Sequence, residues 1–183
     1  MPTNYDYLTL NPTLGEFRVL ALQPGSDTDI IQCLIQTASI TSPPPYEALY
    51  YCWGDASMTK NIELEGYRFP VTTNLFAALH SLRLEDTPRI VWIDAVCIDQ
   101  SNVAERESQV GLMRKIYQQA IRVVIWLGTS GPKTELAFEL VRSTTTSGPR
   151  NGDSEPNVRL TKKIAARRKL LRISDKDSFP ARC

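Results

Sequence analysis

The sequence predicts an α/β fold: a mainly parallel central sheet with flanking helices, extended on the N-terminal side by antiparallel strands and a small hairpin. Two observations point to it. The stretch from Arg89 to Gly128 carries two short apolar runs, Ile90–Asp94 and Val123–Leu127, on either side of a polar stretch of helical length. Short β-branched runs flanking a helix are the pattern of a βαβ unit with both strands covered. The connection is long enough for a crossover, so the two strands are expected to be parallel and adjacent, with Trp92 and Trp126 buried. Upstream of this unit, extended apolar runs alternate with turn signals, which accounts for the added antiparallel part.

The elements follow in chain order. Glu16–Leu22 (EFRVLAL) is a strand ended by Pro24-Gly25. Ile30–Ile40 is a second strand with imperfect alternation, and Pro43-Pro44-Pro45 then rules out ladder pairing. Tyr46–Trp53 (YEALYYCW) is a third, stopped by Gly54-Asp55. Ile62–Leu64 and Tyr67–Val71, joined around Glu65-Gly66, make the hairpin. Thr72-Thr73-Asn74 supplies caps for a helix with Leu75, Ala78, Leu79 and Leu82 on one stripe. In the βαβ unit, Asn102 with Glu105 fits a capping box. Val103, Val110, Met113, Tyr117 and Ala120 share the face expected to meet the sheet. Gly111 is either a weak point or a place of close packing. Lys133–Val141 is a further helix.

From Ser143 onward the composition changes. STTTSGPRNGDSEPN reads as linker, and the whole segment carries ten Lys/Arg against four Asp/Glu, compared with eleven against sixteen before it. The organisation is therefore an α/β domain over residues 1–142 and a basic tail, disordered or partly helical, over 143–183. The run TKKIAARRKLLR suits a membrane surface or an acidic partner if it forms an amphipathic helix; a solvated tail is the simpler reading.

Composition excludes several classes. A net charge of +1 gives no electrostatic case for nucleic acid. The N-terminus has neither a basic nor an apolar signal region, and no apolar run approaches bilayer length. Four cysteines without a CxxC pair, and one histidine, argue against a metal site and for a cytoplasmic protein with reduced thiols. Phosphate-binding glycine loops and the GxSxG nucleophile elbow are absent, so no cofactor is indicated. His80 reads as a surface or partly packed residue, and Cys97 as a buried structural thiol rather than its nucleophilic partner.

Ligands of open α/β sheets sit beyond the carboxyl ends of the strands. Trp53, Gly54, Asp55, Asp94 and Asp99 fall at that edge and form the candidate ligand-binding set. The structural alternative for the acidic residues, including Glu47, is pairing with Arg89, Arg106 or backbone N–H groups.

Three segments together resemble the fungal heterokaryon incompatibility (HET) domain: YEALYYCWGD, RIVWIDAVCIDQ with ERESQVGLMRKIY, and RVVIWLG. Their order and spacing also match, with VTTNLFAALHSLR between the first two, and the resemblance covers Phe17 to Gly128. Tyr50 departs from it, since the family usually has Ser there. The resemblance implies fungal self/non-self recognition and programmed cell death, through self-association or with another incompatibility or death-signalling protein. The family is also distantly similar to TIR domains, some of which cleave NAD with one glutamate. That analogy implies an NAD glycohydrolase as the alternative, with NAD as substrate and Glu139 as the catalytic residue, Glu135 being the second choice.

Overall fold

The computed structural model describes residues 5–128 and the backbone of residues 170–173. A single mixed sheet runs through them. Its strands in chain order are β1 (Glu16–Leu22), β2 (Gln32–Ser39), β3 (Glu47–Tyr51), β4 (Thr59–Leu64), β5 (Tyr67–Thr72), β6 (Arg89–Trp92), β7 (Arg122–Trp126) and β8 (Leu170–Ile173). Three helices accompany them: α1 (Thr73–Leu82), the short α2 (Asp94–Cys97) and α3 (Val103–Gln119). The predicted helix over Lys133–Val141 lies outside the described residues. No helix among the described residues is long and apolar enough to cross a membrane.

Local chemistry explains most boundaries. The β4–β5 turn places Glu65 and Gly66 at φ of 51° and 82°. Both are left-handed, the type I′ geometry that matches the twist of a hairpin. Thr72 caps α1 by accepting the Leu75 N–H, and Asn102 caps α3 by accepting the Glu105 N–H. Only this half of the expected capping box forms. The Glu105 carboxylate instead accepts the Asp99 N–H at 2.8 Å and binds Arg18.

The strand order is β5-β4-β2-β1-β6-β3-β7-β8. Two expectations need correction here. The sheet is not mainly parallel: β1–β2, β1–β6, β4–β5 and β7–β8 are antiparallel, while β2–β4, β3–β6 and β3–β7 are parallel. Among the described residues, helical crossovers join only β3, β6 and β7. The strands before β3, like the hairpin β4–β5, have connections too short for a crossover between sequence neighbours, so they pair antiparallel. The strands β6 and β7 are parallel but not adjacent, because β3 lies between them. It is buried along nearly its whole length, as a central strand requires. Beyond residue 142, Leu170–Ile173 joins the sheet at β7.

Helices cover both faces of the parallel trio. Trp126 stands opposite Tyr51 in register and Trp92 opposite Ala48, so the two indoles point to opposite faces. The Trp126 N–H donates to Asn74 of α1 at 2.9 Å. Trp92, fully buried, meets Tyr117 of α3 edge-on at 5.2 Å. The core between these layers holds Phe17, Leu20, Leu22, Tyr46, Leu49, Leu75, Leu79, Val91, Ile116 and Val124.

Helix α3 meets the core through only part of the predicted face: Tyr117 is buried and Met113 and Ala120 pack against the core, but the N-terminal members do not. Its buried residues are Gln109, Ile116 and Tyr117, whereas Val103 and Val110 are 56% and 46% exposed. The N-terminal half docks through polar anchors: Glu105 on Arg18, and the Gln109 amide donating to the Glu16 carbonyl at 2.8 Å. With these anchors in place, Val103 and Val110 are left outside the core, while Met113 packs against it.

Buried Glu47 and Arg18 are both paired. Glu47 at the start of β3 receives Arg89 of β6 at 2.6 Å and also pairs with Arg122 of β7, so it clamps both parallel neighbours. This is the pairing expected for Glu47. Arg18 is 1% exposed and binds Glu105 through both nitrogens, at 2.6 and 3.0 Å. It also donates to the carbonyls of Leu8 and Cys97 and lies 4.7 Å from the centre of the Tyr7 ring.

Two stability measurements check this description. In Arg18→Met the Glu105 carboxylate, 8% exposed, loses its partner. Stranding a buried charge in this way costs about 3 kcal/mol, to be read from the denaturant midpoint. At Gly111 an added Cβ meets nothing within 4 Å, so close packing does not account for this glycine. Gly111→Ala should gain about 1 kcal/mol of helix propensity and raise the melting temperature by about 2–4 °C.

Candidate functional site

The carboxyl ends of β3, β6 and β7 converge on one edge of the sheet. Past β3 the chain runs through Cys52 and Trp53 to Gly54, whose φ of 75° is left-handed, a conformation that glycine adopts without strain. Past β6 it enters α2 directly, so Asp94 sits in the first turn of that helix. Here the indole N–H of Trp53 donates to Asp94 Oδ2 at 3.2 Å, joining two residues that the sequence sets 41 positions apart. The other carboxylate oxygen accepts the Ala95 N–H at 2.8 Å, and the Asp94 carbonyl accepts the Gln100 side-chain amide at 2.8 Å.

Beside this pair lies a cleft of about 300 Å³, lined by Trp53, Asp94, Ile98, Gln100 and the α3 residues Arg106, Glu107, Val110 and Met113. Ile98 is buried and forms the floor. Arg106, Val110 and Met113 recur at helical spacing and so share the α3 surface that faces the cleft. Trp53 remains 44% exposed there. A small apolar concavity with a few convergent polar groups is the usual form of a ligand site.

Asn74 organises the edge from the opposite face. Its amide donates to the Cys52 carbonyl at 2.5 Å and accepts the Trp126 N–H, tying the ends of β3 and β7 to α1. Tyr51, the last residue of β3, has a buried hydroxyl with no hydrogen-bond partner among the described residues. Burial above all, then the charge of Asp94, pushes its ionisation well above the usual phenol range.

The remaining candidates occupy different places. Asp55 accepts the Ser57 N–H and hydroxyl at 2.9 and 2.7 Å. These bonds hold its exposed carboxyl below the usual range. Asp99 likewise accepts the Ser101 N–H and hydroxyl, at 3.0 and 2.6 Å. Both are side-chain turns of the Asx type, and neither lines the cleft. Glu139 and Glu135 lie outside the described residues. Cys97 is fully buried, and desolvation pushes its thiol up to about 12. His80 contacts the Asp27 carbonyl at 3.1 Å, and the Cys97 sulfur accepts the Ile93 N–H at 3.4 Å. Among the described residues no cluster of three or more His, Cys, Asp or Glu is placed to hold a metal ion.

Sequence reasoning missed Asn74, Gln100, Arg106, Glu107, Val110 and Met113 as site residues. For Asn74 only its capping character was visible. Val110 and Met113 carried a signal that pointed elsewhere, because an apolar stripe on a helix between two strands reads as core.

Comparison with known proteins bears on the segments that build this edge. No solved structure gives a significant match to the chain. The family model described as heterokaryon incompatibility protein (HET) matches residues 46–179, from the start of β3 onward. A Neurospora crassa protein named heterokaryon incompatibility protein 6, OR allele, is 40% identical over 141 residues, covering 68% of this chain. The chain spans about a fifth of that relative's length, 20%. On the family match and this identity, the chain belongs to the heterokaryon incompatibility (HET) family.

Proposed function

We propose that this chain is the incompatibility module of fungal self/non-self recognition and that it triggers programmed cell death by associating with itself or with a further incompatibility protein. The observation that carries this reading is the extent of the family match. It spans β3, β6, α2, α3 and β7, and so takes in both walls of the cleft. The relative is named for heterokaryon incompatibility, and the reading extends that role to this chain.

A second reading, cleavage of NAD by a TIR-like site, is favoured by one feature. The parallel strands stand in the order β6-β3-β7, with the first of them in sequence at the centre. That is the beginning of a flavodoxin-like arrangement, whose ligands bind where the strand order switches. In this reading Glu139 supplies the carboxylate that stabilises positive charge developing on the ribose.

Inducible expression in a filamentous fungus separates the two. The signalling reading expects growth arrest and death on induction, and an oligomer mass that rises with concentration in light scattering. Concentrated protein incubated with NAD should release no nicotinamide if signalling alone operates. Release that stops in Glu139→Gln would assign the enzymatic role. Viable cells after strong expression, with a monomer at every concentration, would overturn the signalling reading.

A further inference from the structure

We propose that the cleft between Trp53 and α3 binds a planar organic cation, of amidinium or guanidinium type. The first argument is the aromatic wall. An indole that served only the core would be buried, as Trp92 and Trp126 are, yet Trp53 is 44% exposed. Its ring is held at one edge by the bond from its N–H to Asp94. A fixed, open indole face is a good surface for a cation, which is attracted to the ring quadrupole within about 6 Å.

The second argument is charge. Among the described residues, Asp94 and Glu107 line the cleft against one cation, Arg106. The Arg106 guanidinium is directed to the Gln100 carbonyl at 3.4 Å. An anionic ligand would meet two carboxylates here, whereas a cation meets both with the indole beside them.

The third argument is shape. The floor of Ile98 and the stripe of Val110 and Met113 are apolar. A delocalised flat cation is more weakly hydrated than an ammonium, stacks on aromatic faces and presents a fork of donors to a carboxylate. The cleft volume of about 300 Å³ suits a group of this size rather than a larger molecule. The proposal requires neither NAD cleavage nor self-association, and its test involves neither.

The test follows the three tryptophan indole N–H resonances of the nitrogen-15-labelled protein, with Trp53 assigned by its loss in Trp53→Phe. Benzamidine is titrated alongside its neutral and anionic counterparts of the same shape, benzamide and benzoate. The expected result is a saturable shift of the Trp53 resonance with benzamidinium, at least tenfold tighter than with benzoate. Glu107→Gln, at an exposed position, should weaken it about three- to tenfold. The Trp92 and Trp126 resonances should stay in place. Titration with N-acetyl-arginine amide identifies the source of the cation: tighter binding than benzamidine indicates an arginine side chain of another protein, and weaker binding a free ring cation. Equal affinity for all three benzene compounds, no saturable shift, or affinity unchanged in both Glu107→Gln and Asp94→Asn would overturn the proposal.

Discussion

Arg18 lies almost wholly out of water in β1, and its guanidinium ties together four separate parts of the chain. It grips Glu105 at the start of α3, the Cys97 carbonyl at the end of α2 and the Leu8 carbonyl of the N-terminal segment, with the ring of Tyr7 stacked against it. A planar fork of donors can satisfy several acceptors at once in one geometry, which a lysine ammonium does less well. Glu105 in turn takes the Asp99 N–H, so the loop between α2 and α3 is fixed to the same centre. The seating of α3 follows from this. With its N-terminus pinned through Glu105 and Gln109, the helix buries polar anchors at one end and Ile116 and Tyr117 at the other. Its Val110 is then left to the cleft, and Met113 lies between the cleft and the core.

A second buried ion pair network does related work at the far end of β3. Glu47 faces Arg89 and Arg122 on the two neighbouring strands, and Arg89 also donates to the Leu82 carbonyl at the end of α1. Ion pairs of this kind add little net stability over apolar packing, but an alternative arrangement that left one charge unpaired would be costly. Glu47 therefore disfavours any arrangement in which β3 is not between β6 and β7. That order brings the Trp53 loop and Asp94 to the same edge, where Asn74 fastens the β3 and β7 ends from the other side. The strands β1, β2, β4 and β5 extend the sheet beyond β6 and contribute core and the Arg18 anchor rather than cleft walls.

Much of this was legible from the residues. Apolar runs and turn chemistry located β1, β3, the β4–β5 hairpin and β7 to within a few positions, and Thr72 and Asn102 marked the helix starts. These are local matters: whether a backbone can turn left-handed at Gly66, or whether a side chain can accept an N–H three residues on, is settled by neighbours in the chain. Trp53 and Asp94 were recognisable as edge residues because each follows an apolar run and precedes polar sequence. Asp55 and Asp99 carried the same signal but fold back on Ser57 and Ser101, an outcome that the short distance to a following hydroxyl made equally available.

By itself the sequence determined the types and approximate limits of these elements, the burial of Trp92 and Trp126, and the segments that match the HET family. Only the tertiary structure decided the strand order, the mixed pairing, the direction α3 faces and the company Trp53 keeps. The physical reason is that periodicity reports which residues share a face, and not which element meets that face. Two strands with a helix between them look the same whether or not a third inserts, and an apolar stripe on a helix looks the same toward a sheet or toward a cleft. Those choices were settled by the partners that Arg18, Glu47 and Asn74 find across 42 to 87 positions of chain.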